Sequence, residues 1–214
     1  MERRFLNRER ELAALDRLFH TAGAQLLVVY GRRRVGKTAL LREFLKEIPH
    51  MYHLCARLPE PEQLVRLGEV VGRFAGDPLL EENGFREWRQ VFDYLGRLKE
   101  RFALVVDEYP YLVEANPAMG SLWQKGWDER LQASGIFLVL MGSSVAMMEQ
   151  ETLAARAPLY GRRTGQLRLE PLPFRQARGF FPSYDFPDQL RAYAMLGGIP
   201  YYLERFEDGL PLRE

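Results

Sequence analysis

Short apolar runs, each closed by glycine or polar residues, set the rhythm of this chain. Residues 25–30 hold Leu-Leu-Val-Val before Gly31, residues 102–106 run apolar into Asp107-Glu108, and residues 136–141 run apolar into Gly142-Ser143-Ser144. Runs of this length between turn signals predict buried strands. A shorter strand is expected at 51–56 and a weaker, alternating one at 166–169. Between them the spacing becomes helical. Leu12, Leu15, Leu18 and Phe19 share one face within 6–19, and Leu40, Leu41, Phe44, Leu45 and Ile48 do so within 38–48, which Pro49 stops. Residues 59–74, 85–101 and 121–132 also predict helices, with a Gly/Asp/Pro/Asn loop at 76–84.

Strands that alternate with helices imply an α/β fold with a parallel sheet covered by helices on both faces. Pro171 and Pro173 punctuate the chain, and the remainder has helical character. The expected organisation is therefore a core at 1–170, followed at 171–214 by a helical lid or the start of a truncated C-terminal domain.

Composition adds limits. The chain has 214 residues, 47% hydrophobic and 28% charged, enough for one sizeable core. Its one cysteine, Cys55, excludes an internal disulfide and fits a small core residue in a reducing compartment. No run reaches the roughly 20 apolar residues that span a bilayer, and the charged N-terminus lacks a signal peptide's apolar core; a cytoplasmic location without a membrane partner is expected. The net charge is only +1, but its distribution is uneven: 11 Lys/Arg against 6 Asp/Glu in 1–48, 6 against 1 in 155–178, and an acidic 10 against 16 in 49–154. This is not the broad basic face of a dedicated nucleic-acid binder.

The basic N-terminal part contains Gly31-Arg32-Arg33-Arg34-Val35-Gly36-Lys37-Thr38, a Gly-x-x-x-x-Gly-Lys-[Ser/Thr] phosphate loop between a predicted strand and a predicted helix, as its mechanism requires. Its glycines let successive amides turn toward phosphates beside the positive end of the following helix, which Ala39 continues. Lys37 is expected at the β- and γ-phosphates, and the Thr38 hydroxyl on Mg²⁺. Arg32, Arg33 and Arg34 form either a solvated basic rim or a contact to phosphate or to a partner's acidic group.

The second acidic site is Asp107-Glu108. A buried strand ending in two carboxylates has no simple structural purpose, because burying unpaired charge is costly. It has the form of a Walker B strand, with Asp107 in the Mg²⁺ shell and Glu108 polarising an attacking water. The long separation from Lys37 leaves room for strands between the two motifs. The Walker A and B strands are then not neighbours, and the run ending at Ser143-Ser144 is inserted between them. Ser143 is the candidate sensor of γ-phosphate or water; a simple strand-to-helix cap is the alternative for both serines.

Together with Phe5-Leu6-Asn7-Arg8-Glu9-Arg10-Glu11-Leu12, Leu159-Tyr160-Gly161-Arg162-Arg163 and Leu196-Gly197-Gly198-Ile199-Pro200, these motifs resemble the archaeal-type P-loop ATPases of the STAND branch, relatives of the AAA+ proteins. The resemblance implies ATP/ADP and Mg²⁺ as ligands, an N-terminal segment with Phe5 and Arg8 that encloses adenine, and Pro200 in a Gly-x-Pro motif packing the lid onto the base. Asn7 stands where the family has glycine, a position Asn fills better than most residues. The resemblance also implies that Arg162 or Arg163 neutralises γ-phosphate, in cis or from a neighbouring subunit. The expected activity is Mg-dependent ATP hydrolysis driving a nucleotide switch, with a homo-oligomer or another protein as partner. Nucleic acid enters only through a C-terminal region not present here. The competing readings are a small-molecule kinase and an ATP-gated nucleic-acid or scaffold module.

Overall fold

The computed structural model describes residues 5–212. Helix α1 (Glu9–His20) leads into β1 (Gln25–Tyr30), α2 (Lys37–Phe44), β2 (His50–Leu54), α3 (Glu60–Ala75), α4 (Pro78–Asn83), α5 (Trp88–Leu95) and β3 (Phe102–Asp107). There follow α6 (Pro110–Ala115), α7 (Met119–Gly126), β4 (Ile136–Gly142), α8 (Val145–Met148), β5 (Gly165–Arg168), α9 (Phe174–Ala177), α10 (Phe186–Leu196) and α11 (Pro200–Leu203).

The five strands form one parallel sheet in the order β2-β3-β4-β1-β5. The expected inserted strand is β4, which pairs with β1 on one side and β3 on the other. Every residue of β1, β3 and β4 is buried, whereas the edge strands β2 and β5 alternate. Helices on both faces explain the difference: the inner strands bury both sides, the outer ones only part of theirs. On one face Leu26, Val28, Leu104 and Leu138 pack under Leu67, Val91, Phe92 and Trp123; on the other Leu27, Val29, Val105 and Val139 pack under Leu15, Leu40 and Leu41. Cys55 is a buried free thiol, as expected.

Three expectations change. The loop expected at 76–84 contains α4, because Asp77 caps it by accepting from Leu80 N (3.1 Å) and Pro78 supplies a preset first helical φ. The long helix expected at 85–101 is only α5, closed at Gly96. The helix expected at 121–132 starts earlier and ends in a π-turn, Trp127–Leu131. Helix α6 had no sequence signal beyond Pro110. No described helix is long and apolar enough to cross a membrane.

A small third core, Leu172, Ala177, Phe180, Phe181, Ala192 and Leu203, lies wholly beyond the sheet, with Leu6 packed against it. Within it, Leu172 N donates to Gly198 O (2.7 Å). A Cβ on Gly198 would lie 1.8 Å from Leu172 O, so only glycine permits this approach.

His53, on β2, is 2% exposed and its Nε2 has no partner. Burial, with the nearby Arg66 charge adding to it, lowers its pKa to about 4 from 6.5. The folded state therefore holds fewer protons than the unfolded chain between these values, and stability present above pH 6.5 is lost as pH falls toward 4. Urea unfolding across this window should show the wild type losing on the order of 1–3 kcal/mol more than His53→Leu.

Candidate functional site

Because all strands are parallel, the polar residues that end β1, β3 and β4 meet along one edge of the sheet. The phosphate loop joins β1 to α2 there. Gly36 begins the helix with φ 99°, a left-handed conformation that strains any side chain. No side chain caps α2, so its first amides and its positive end remain directed at the loop. Lys37 is buried and folds back over the loop, donating to Gly31 O (2.8 Å) and Arg32 O (3.2 Å). Burial lowers the pKa of its amine; the Glu108 and Asp107 carboxylates oppose that shift, and Arg33 adds to it.

Asp107 ends β3 in the opposite condition, its pKa raised chiefly by burial and also by the Glu108 charge. Its carboxylate is well partnered. Oδ1 accepts from Glu108 N (2.8 Å), and Oδ2 accepts from the Tyr52 hydroxyl (2.6 Å) and lies 3.5 Å from Thr38 Oγ1. Thr38 and Asp107 thus present neighbouring hard oxygens, the donor type Mg²⁺ requires. Tyr52 was not anticipated. It lies on β2, opposite Val105 in register, and only the β2–β3 pairing brings its ring to Asp107.

Glu108 follows with φ 54°, unusual for a non-glycine residue. Its Oε2 accepts from Ser143 N (3.2 Å) and Ser143 Oγ (3.0 Å) at the end of β4. Ser144 begins α8 without a side-chain cap bond. The two serines therefore differ: Ser143 holds the carboxylate, and Ser144 only starts a helix.

The three loop arginines are exposed, but two of them have partners within the chain. Arg33 donates to Ser143 Oγ (3.3 Å) and Tyr111 OH (3.1 Å), and Arg34 donates to Tyr202 OH (2.8 Å). All three acceptors are hydroxyl groups.

Beside the loop is a cleft of about 190 Å³. Phe5, Leu6 and Arg8 line it from the N-terminal segment, Val35, Gly36, Thr38 and Ala39 from the loop and the start of α2, Arg42, Glu43 and Lys46 from farther along, and Phe180, Pro200 and Glu204 from the C-terminal part. The candidate residues Phe5, Arg8 and Pro200, far apart in sequence, converge here; Leu6, Phe180 and Glu204 carried no signal. Asn7 has φ 60°, the left-handed conformation expected where the family has glycine, and its Nδ2 donates to Gln176 O (2.9 Å). Arg8 is buried and donates to Glu170 O (2.8 Å), Val35 O (3.3 Å) and Glu11 Oε1 (2.7 Å). It ties the first helix to both the loop and the chain leaving β5.

Residues 5–206 match the model of a family of ATPase domains found predominantly in Archaea. The chain belongs to this family. An uncharacterised protein of Methanocaldococcus jannaschii is 34% identical to the domain over 201 residues, covering 94% of this chain and 44% of the relative. The chain therefore spans less than half the length of that relative. A second protein of that organism, described as ATP-binding, is 50% identical over 42 residues, 20% of this chain and 71% of its own. In fold, the domain is similar to a Walker-type ATPase of Pyrococcus abyssi, with TM-score 0.70 and 24% identity over 93% of this chain and 65% of that one. It is also similar to a Signal Transduction ATPase with Numerous Domains protein of Pyrococcus horikoshii, with TM-score 0.59 and 16% identity over 95% of this chain and 30% of that one.

In this ATPase-family domain, Arg162 and Arg163 lie away from the loop. They precede β5, beside Thr164, whose N donates to Leu26 O near the start of β1 (2.8 Å). The loop begins after the other end of β1, a strand's length of roughly 15–20 Å away. The expected role in cis is therefore corrected: neither guanidinium reaches this chain's own loop. Arg162 forms a two-point pair with Asp128 (2.7 and 2.6 Å), and Arg163 donates to Thr152 O (3.1 Å) and Leu153 O (3.3 Å).

Tyr52→Phe should destabilise the ligand-free domain by about 1–3 kcal/mol, the scale of a buried hydrogen bond to a charged group. The same change in an Asp107→Asn background should cost less than half as much, measured as a double-mutant cycle in urea.

Proposed function

We propose that this domain binds ATP with Mg²⁺, hydrolyses it, and converts the change of nucleotide into a change of lid position. The observation that carries this reading is the convergence of Lys37, Thr38, Asp107 and the Glu108–Ser143 pair at the ends of three adjacent strands, next to a cleft lined in part by the lid. The match to an ATPase-domain family and the relative described as ATP-binding support adenine nucleotides as ligands.

The triphosphate takes the place of the two carbonyls that now hold Lys37. Its negative oxygens offset the burial that lowers the lysine's pKa. Thr38 and Asp107 supply the protein oxygens for Mg²⁺, and Tyr52 fixes the orientation of Asp107. Mg²⁺ held by these oxygens would neutralise charge on the phosphates. Glu108, with Oε2 held by Ser143, keeps Oε1 free to orient a water and accept its proton as that water attacks the γ-phosphorus. Arg162 and Arg163, at the far end of the sheet, are suited to serve a neighbouring subunit's nucleotide. Such a role requires Arg162 to leave Asp128.

Calorimetry with ATP, ADP and GTP, beside a steady-state hydrolysis assay, tests the proposal. Glu108→Gln should lower kcat by about 10²–10⁴, the usual contribution of a general base, and leave ATP affinity within a few-fold. Lys37→Ala should weaken ATP binding by about tenfold or more, the cost of one charge-assisted contact. Hydrolysis undiminished in Glu108→Gln would remove the catalytic assignment, and GTP bound as tightly as ATP would remove the adenine reading.

A further inference from the structure

Arginine in a phosphate loop invites the assumption that it grips phosphate. Arg34 is directed elsewhere. Its Nη1 donates to the Tyr202 hydroxyl at 2.8 Å, and its guanidinium carbon lies 4.5 Å from the centre of the Tyr201 ring and 5.5 Å from that of Tyr202. Tyr201 also carries Arg205, 4.1 Å from its ring centre. Arg34 holds these contacts with φ 68°, a conformation that non-glycine side chains seldom adopt. A planar guanidinium can stack on one ring while bonding to the next; an ammonium cannot.

Tyr201 and Tyr202 belong to α11, whose first residue, Pro200, lines the cleft together with Glu204. Pro200 Cγ lies 3.8 Å from the place a Cβ on Gly36 would occupy, so the helix is seated directly on the loop. Its own main-chain attachment, at Gly198, is to Leu172, on the lid side of the cleft. Arg34 therefore fastens this side of the cleft to the loop.

We propose that Arg34 is a positioning residue that closes the cleft over the nucleoside part of the ligand, acting through Tyr201, Tyr202 and Pro200, and that it adds nothing specific to phosphate binding. This rests on the cleft being the base site. The consequence is a separation of affinities: Arg34 matters for ATP and not for inorganic tripolyphosphate, which fills the loop but not the cleft.

Calorimetry with these two ligands tests it, on wild type, Arg34→Lys and Tyr201→Leu. Arg34→Lys keeps the charge near the phosphates and loses the planar stack; Tyr201→Leu leaves the loop sequence intact. Each should weaken ATP by about 3- to 20-fold, the range expected from an exposed cation–π contact with or without its hydrogen bond, and leave tripolyphosphate within about twofold of wild type. Unchanged tripolyphosphate binding also shows that the variant is folded. Equal weakening of both ligands assigns Arg34 to the phosphates and overturns the proposal, as does unchanged ATP affinity in both variants. A wild type that binds tripolyphosphate as tightly as ATP overturns the base-cleft reading itself, and this inference with it.

Discussion

The site depends on one buried charge. Asp107 is 6% exposed at the end of a strand whose other residues are all apolar. Burial works against its ionised form, and such a group persists only where neighbours meet its lone pairs. Tyr52, the Glu108 amide and Thr38 do so. They come from three elements: β2, the chain after β3, and the first turn of α2. Satisfying that carboxylate therefore fixes how these elements sit relative to one another. Glu108, whose amide serves Asp107, is turned toward Ser143 by the same left-handed backbone.

From this point order passes outward through arginines. Arg33 links the loop to Ser143 and Tyr111, Arg34 links it to α11, and Arg8 links it to α1 and Glu170. Arg33 and Arg8 each donate to groups that belong to different elements, which a rigid fork of five donors does well, and Arg34 combines one donated bond with a ring contact. The loop is thus held by side chains from several elements, while no side chain caps the start of α2.

Much of this was legible in advance because the signals were local. Apolar runs closed by Gly31, Asp107 and Gly142 identified the inner strands, since a strand covered on both faces leaves no polar positions between its ends. The spacing of Gly31, Gly36, Lys37 and Thr38 carries its own backbone mechanism, so the loop could be placed to the residue. Edges and short helices were less clear. Helix α4 is held by an Asp77 cap within a segment whose composition resembled a loop, and α6 is a six-residue helix too short to show a periodic pattern.

The sequence by itself determined the parallel α/β architecture, the phosphate loop and the acidic strand end, because periodicity and fixed spacing encode these within a few residues. Only the tertiary structure decided what those motifs face. Tyr52 reaches Asp107 because β2 pairs with β3. Arg34 meets Tyr201 and Tyr202 because α11 folds back against the loop across more than 160 residues of chain. Arg162 and Arg163 fall at the opposite end of the sheet because β5 runs parallel to β1, which sends the residues before it away from the loop. Contacts between strands, and the pole to which a strand's first residue is carried, depend on strand order and direction, and no local pattern in the chain records them.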